Sequence, residues 1–319
     1  MRQMSLIKYC VKLAGLMLAA GSVSSSPADS PANPRPPMAT PAVTFLTSGH
    51  QDFWPCFSPD GSEILFSRRA AGTWELLVIP AAGGLPKSLA QSPLPVAATR
   101  ANWSRQNNRI AFTGTSSREE NSIWLINSDG SNAHELQAHG LSKQVFYPSW
   151  FPGGQQVVVM DAQEMVIKRI DLNSGAAVTV TDHKNVLTGM PSVAPDGKWI
   201  AFAGQKNLGQ QYDQTKNSIW LVNGDGVTRT VELNPAQGRA PSWSPDGKRL
   251  AFESNRVSAN GVYAIFLINR DGTGLVQVTA PVLNADHPVW SPAGNELAFS
   301  ARESVWTKDR GIAVVAIRN

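Results

Sequence analysis

The chain is 319 residues, 42% hydrophobic and 16% charged, with 26 glycines and 22 prolines. That apolar content excludes a disordered chain, the aperiodic glycine excludes collagen, and the low charge excludes a coiled coil. The formal charge of +4 is local: of 28 basic residues, Arg2, Lys8 and Lys12 fall in the first twelve positions, leaving 25 against 24 acids. Nothing in that balance points to nucleic acid.

Residues 1–26 read as a secretory signal: the basic segment precedes an apolar core, Leu13–Ala20, and small residues run on to Ser26. A mitochondrial presequence is the alternative. Export to the periplasm or beyond is the expectation. Residues 27–41, PADSPANPRPPMATP, hold six prolines and read as an extended linker. No other stretch approaches the ~20 apolar residues of a membrane span. Cys10 and Cys56 are too few for a disulfide framework, and Cys56 reads as a small buried apolar residue.

Residues 42–319 repeat. An aromatic or apolar anchor opens a Ser-Pro-Asp-Gly-like turn at Phe57, Trp103, Trp150, Val193, Trp243 and Trp290, with gaps of 46, 47, 43, 50 and 47 residues. Proline stands two residues before five of these anchors; the second unit has Ala101 instead. After each turn comes an apolar run such as EILFS (63–67) or RLAFE (249–253). A polar loop follows, then a second run such as SIWLIN (122–127), then an Asp-Gly-like turn and a weaker last run. Such runs, β-branched and aromatic and bounded by turns, are strands. Four strands in a period of about 45 residues make a propeller blade. The fold expected is all-β: a six-bladed β-propeller of four antiparallel strands per blade.

The sixth unit ends after its third strand, and Ala42–Thr47 (AVTFLT) resembles a fourth strand. That segment is expected to complete the last blade and close the ring, leaving no exposed edge. The turns joining first to second strands are tight, whereas the connections from second to third strands, 68–73, 114–121, 204–217, 254–263 and 301–310, differ in every unit. Ragged connections on a rigid frame are where binding is expected. The residues three and four before each anchor enter the innermost strand from that face: Phe53/Trp54, Thr99/Arg100, Phe146/Tyr147, Gly189/Met190, Arg239/Ala240 and Asp286/His287. An aromatic and cationic mouth suits a peptide or a carboxylate. The predicted partner-binding residues are therefore Trp54, Arg100, Tyr147, Met190, Arg239, Asp286 and His287, on a protein expected to be a monomer.

Catalytic signals are weak. No HExxH, CxxC, P-loop or G-x-S-x-G pattern occurs, and no cofactor is expected. Should a metal bind, His50, Asp52, Asp286 and His287 are the donors nearest the channel, which keeps open a metal-dependent lyase or hydrolase. A carbohydrate-binding propeller using Phe53, Trp54 and Tyr147 is a further alternative. The aspartates of the turns, Asp60, Asp246 and Asp271, do not fit the EF-hand pattern and read as turn formers.

The string Pro-x-Trp-Ser-Pro-Asp-Gly, then (R/K)-(I/L)-A-F and IWL(I/V)N…DG, is fullest as PSWSPDGKRLAFESNR (241–256) with AIFLINRDGTGLVQVT (264–279). It resembles the TolB-type, WD-repeat-like propeller repeat, which also occurs in prolyl oligopeptidase-like proteins. The resemblance covers residues 42–319 and is strongest in units one, four, five and six. It implies six blades, export and a protein-binding role at the channel mouth. Only the leader and linker precede the first blade, so no counterpart of the TolB N-terminal α/β domain is expected, nor a hydrolase domain after the propeller.

Overall fold

In the computed structural model, the residues described are 42–317 except 92–93, 95, 226–229, 259–260 and 303–306. The expected leader (1–26) and linker (27–41) lie outside them. The first strand, β1 (Val43–Phe45), stands apart from those that follow it in the chain. Blade 1 is β2 (Asp52–Phe57), β3 (Glu63–Ala70), β4 (Thr73–Pro80) and β5 (Lys87–Ser88). Blade 2 is β6 (Ala97–Trp103), β7 (Arg109–Thr115), β8 (Asn121–Asn127) and β9 (His134–Glu135). Blade 3 is β10 (Val145–Trp150), β11 (Gln156–Asp161), β12 (Val166–Asp171) and β13 (Ala177–Thr179). Blade 4 is β14 (Val186–Val193), β15 (Trp199–Lys206), β16 (Ser218–Asn223) and β17 (Thr230–Gln237). Blade 5 is β18 (Arg239–Trp243), β19 (Arg249–Ser254), β20 (Ala264–Asn269) and β21 (Val276–Gln277). Blade 6 is β22 (Asp286–Trp290), β23 (Glu296–Ala301) and β24 (Gly311–Ala316), completed by β1.

β1 pairs antiparallel with β24, Val43 opposite Val315 and Phe45 opposite Ala313. Ile312 N donates to Thr47 Oγ1 at 2.8 Å. The expected closure of the ring by the N-terminal segment is thus the observed one. The only helical segments among the described residues are two single 3-10 turns, Gln214–Lys216 and Pro281–Leu283, and no helix there is long and apolar enough to cross a membrane.

Each second strand is apolar on both faces because both are buried between blades. Phe66, Phe112, Phe202, Phe252 and Phe299 repeat at one register position and are fully buried. Alternate residues serve opposite neighbours: Leu65 packs with blade 2, whereas Ile64 and Phe66 pack with blade 6. Six buried clusters result, each shared by two adjacent blades, and the last joins blade 6 to blade 1. The turn aspartates do what their sequence context implies. Asp60 Oδ1 accepts from Ser58 Oγ (2.6 Å) and Ser62 N (3.1 Å), and Asp246 Oδ1 accepts from Ser244 Oγ (2.6 Å) and Lys248 N (3.1 Å). The Ser58 hydroxyl, with the Ser62 amide and hydroxyl, holds the Asp60 carboxyl down at about 2.

One connection departs from expectation. Residues 68–73 are a tight hairpin rather than a loop, because β3 and β4 pair as far as Ala70 and Thr73. The turn needs two left-handed residues, Ala71 (φ 48°) and Gly72 (φ 87°), as two-residue hairpins do.

Candidate functional site

Every innermost strand is broken at the same place. The pairing of first and second strands slips between Phe53 and Cys56, Thr99 and Asn102, Phe146 and Ser149, Gly189 and Ser192, Arg239 and Ser242, and Asp286 and Val289. At each slip one non-glycine residue is left-handed: Trp54, Arg100, Tyr147, Met190, Ala240 and His287, with φ between 50° and 55°. The repeated proline follows directly in five blades, and it is tolerated because the bulge takes it out of the hydrogen-bond ladder. The six left-handed residues ring the channel at its loop-rich end, around a cavity of about 130 Å³. Of the predicted residues, Trp54, Arg100, Tyr147, Met190 and His287 line that mouth, while Arg239 and Asp286 are not part of its wall.

Three of the displaced backbone N–H groups find side-chain acceptors on the preceding blade. Trp54 N donates to Ser300 Oγ (3.2 Å), Tyr147 N to Thr113 Oγ1 (3.3 Å) and His287 N to Glu253 Oε2 (2.6 Å). Ser300, Thr113 and Glu253 occupy one register position on the second strands, directly opposite Asp286, Thr99 and Arg239. Blade 1 has Ser67 there, whose buried Oγ has no partner among the described residues.

Blades 5 and 6 build a compact ionic cluster. Glu253 is fully buried; its Oε1 accepts from Arg239 Nε, and Arg239 Nη1 donates to Gln214 Oε1 at 2.6 Å. Burial opposes the charge on Arg239, but the Glu253 carboxylate outweighs it and lifts the guanidinium above its ordinary range. Arg310 Nη2 donates to Asp286 Oδ2 at 2.7 Å and to the carbonyls of Asn284 (2.8 Å) and Ser300 (3.2 Å). Burial alone would raise the Asp286 carboxyl; Arg310, with His287 and Arg239, holds it below its ordinary value. Asp52, also fully buried, accepts two bonds of 2.7 Å from Arg68 Nε and Nη2.

His287 sits between this cluster and the mouth. Trp54 Nε1 donates to its Nε2 at 3.1 Å, which requires that nitrogen to be unprotonated. The proton of the neutral ring is therefore on Nδ1, 3.2 Å from Asp286 Oδ1 and 3.5 Å from Glu253 Oε2. With its lone pair engaged by an indole N–H, His287 has no free base to offer a substrate. Cys56 is equally unsuited to nucleophilic work: burial pushes its thiol up, and Sγ accepts from Trp103 N at 3.3 Å.

The donors expected for a metal are not brought together. Asp52 is taken by Arg68, and His50 is exposed, with its carbonyl accepting from Arg310 N. Asp286 and His287 instead meet Glu253, their donor atoms within 4.8 Å of one another. That trio does not suit a resident cation. Both carboxylates are already matched by guanidinium groups, and the nearer imidazole nitrogen carries the proton.

Blades 1 to 3 build the opposite wall. The Arg100 guanidinium lies 4.4 Å from the Trp54 ring centre, 4.8 Å from Tyr147 and 5.5 Å from Phe146. Its Nη1 donates to Thr99 Oγ1 at 3.0 Å, and its buried Nε has no partner among the described residues. Among the described residues no carboxylate lies within 4.0 Å of it. The surrounding rings are themselves packed: Trp54 against Phe53 (5.3 Å) and Trp74 (5.1 Å), and Tyr147 parallel to His287 (6.4 Å, 6°). Sequence reasoning missed Glu253, Arg310, Arg68 and Trp74. Only Glu253 left a signal, as the single acid at a register position otherwise held by Ser67, Thr113, Met160, Ala203 and Ser300.

A larger cavity, about 310 Å³, lies at the other end of the channel, among the tight turns that carry Pro59, Arg105, Pro152, Pro195 and Pro292. Attention to ragged loops passes it over. Polar side chains on its walls are used between blades: Asn102 Oδ1 accepts from Trp150 N (3.3 Å) and Ser149 Oγ from Val193 N (3.0 Å).

Comparison with known proteins follows the fold. The sequence profile of the TolB beta propeller domain matches residues 43–238. A protein of Bacillus subtilis (strain 168) named uncharacterized peptidase YuxL is 29% identical over 127 residues, 38% of this chain and 17% of that protein. The uncharacterized protein Atu1656 of Agrobacterium fabrum (strain C58) is 26% identical over 192 residues, 56% of this chain and 61% of that protein. The chain thus spans less than two thirds of either curated relative. Among solved structures, one described as a TolB of Agrobacterium tumefaciens superposes with a TM-score of 0.63 at 18% identity, covering 87% of this chain and 97% of that one. TolB of Acinetobacter baumannii gives 0.60 at 18%, covering 82% and 65%. An oligogalacturonate lyase in complex with manganese gives 0.57 at 13%, covering 89% and 95%. At these identities the likeness is one of fold.

Proposed function

We propose that this chain, which belongs to the TolB beta propeller family, is an exported, non-enzymatic protein that binds a protein or peptide partner at the loop-rich mouth of its channel. The observation that carries the reading is the charge balance of that mouth. Asp52, Glu253 and Asp286 each face an arginine, and Arg100 is left with aromatic rings and no counter-ion among the described residues. A concavity that sets an arginine among aromatic rings has the composition found at the energetic centres of protein interfaces. Export rests on the basic and apolar leader of residues 1–26, which places the working protein in the periplasm or outside the cell. The metal-dependent lyase or hydrolase draws no support from a histidine whose Nε2 is already engaged and carboxylates that are already paired.

Crosslinking in the native compartment tests the reading. Wild type and Arg105→Ala, which alters the opposite end of the channel, are expected to capture the same partner, and the double variant Trp54→Ala/Arg100→Ala is expected to lose it. Equal capture by all three would refute a mouth-directed function. N-terminal sequencing of the purified mature protein checks the leader, since a chain still beginning at Met1 contradicts export by cleavage.

A further inference from the structure

We infer that the mouth recognises a carboxylate of its peptide partner, and that the carboxylate docks on Nη2 of Arg100. The inference rests on the binding function proposed above and goes further by fixing the chemistry of the ligand. Arg68 shows how a guanidinium within the same ring of blades holds a carboxylate, giving Asp52 two parallel bonds of 2.7 Å through Nε and Nη2. Such a fork is the strongest geometry available to a guanidinium and carboxylate.

In Arg100 the other valences are spent. Nη1 is held by Thr99 Oγ1, and the group lies 4.4 Å and 4.8 Å from the Trp54 and Tyr147 ring centres. Nε is buried, whereas Nη2 is not among the buried atoms and makes no hydrogen bond among the described residues. A half-buried guanidinium without a counter-ion is costly, and a ligand carboxylate supplies one. The neighbouring rings and Thr99 also confine the guanidinium, so little rotamer freedom is lost when the anion arrives.

Blade 2 has moreover departed from its five sister blades at this point. It carries Ala101 where they have proline, and an arginine at the left-handed position where they have Trp, Tyr, Met, Ala or His. A sugar acid would present the same carboxylate, but sugar rings need an open aromatic face. The Trp54 ring is covered by Arg100 and packed against Phe53 and Trp74, and the Tyr147 ring is covered by Arg100 and His287. A peptide terminus or an acidic side chain fits what remains.

The test uses the full chain, immobilised, and a library of random uncharged N-acetyl hexapeptides in three forms: free C-terminal acid, C-terminal amide, and amide with one internal Glu. Trigalacturonate is the fourth probe. Wild type is expected to retain one or both acid-bearing forms about tenfold or more above the plain amide, as a charge-assisted hydrogen bond implies. Arg100→Gln is expected to erase the difference and Arg100→Lys to keep part of it, with both variants melting as wild type does. Should Arg100→Gln fail to fold, the Lys variant and the wild-type comparison of acid with amide still decide the matter. Equal retention of acid and amide forms overturns the carboxylate while leaving peptide binding intact. Retention of no peptide overturns both. Trigalacturonate held through Arg100 while all peptides wash off assigns the anion to a sugar and likewise overturns both.

Discussion

Arg239 and Arg100 lie one position apart in the innermost strands of blades 5 and 2, and they differ in what stands opposite. Arg239 faces Glu253 across the first two strands of its blade, and Arg100 sits next to Thr99, which faces Thr113. The first arginine is consumed in a buried ion pair and braces the junction of blades 5 and 6. The second retains an open valence at the mouth. One step of register separates them: Arg239 takes the paired position that faces the second strand, whereas Arg100 takes the left-handed position that lines the channel.

Substitutions at the two positions separate these roles. The largest effect is expected from Glu253→Gln, which leaves Arg239 charged and buried and weakens the acceptor of His287 N. Breaking a buried pair in this way destabilises by about 3–5 kcal/mol, measurable as a lower urea midpoint. Next comes the acid limb of stability. The folded Asp286 carboxyl lies below its ordinary value, so its contribution is present above the unfolded value of about 4 and is lost as pH falls through the folded one. Asp286→Asn removes that contribution, and its melting temperature is expected to fall less steeply than wild type between pH 5 and pH 2, a span of about three units around that reference value. Arg100→Gln is expected to change stability by no more than about 1 kcal/mol, since no ion pair is lost. A loss as large as that of Glu253→Gln would abolish the distinction between the two arginines. The smallest effect is expected from millimolar Mn²⁺, which should leave the melting temperature unmoved because guanidinium groups already hold Glu253 and Asp286. A clear upward shift would show that the cluster opens to a cation.

Much of the frame is legible in the chain itself. The anchors from Phe57 to Trp290 set the blades, and AVTFLT at residues 42–47 announces the strand that completes the last one. The residues of the mouth follow from counting back from each anchor. Their partners do not, because the bulge shifts the register there, and only the shifted pairing sets Glu253 against Arg239 and brings its second oxygen to His287 N. Arg310 lies just before β24 and reaches Asp286 through the fold of the last blade. Its sequence surroundings, TKDRG, look like any polar connection. Length likewise misleads at residues 68–73, where a polar run conceals a hairpin.

The six left-handed positions have a consequence for how such a protein diversifies. Trp, Arg, Tyr, Met, Ala and His all adopt one backbone conformation there, with φ values spanning only 50° to 55°. The scaffold is therefore indifferent to the letter written at each site. A new specificity can be composed by respelling a six-character word on an unchanged disc, one blade at a time, without renegotiating the fold.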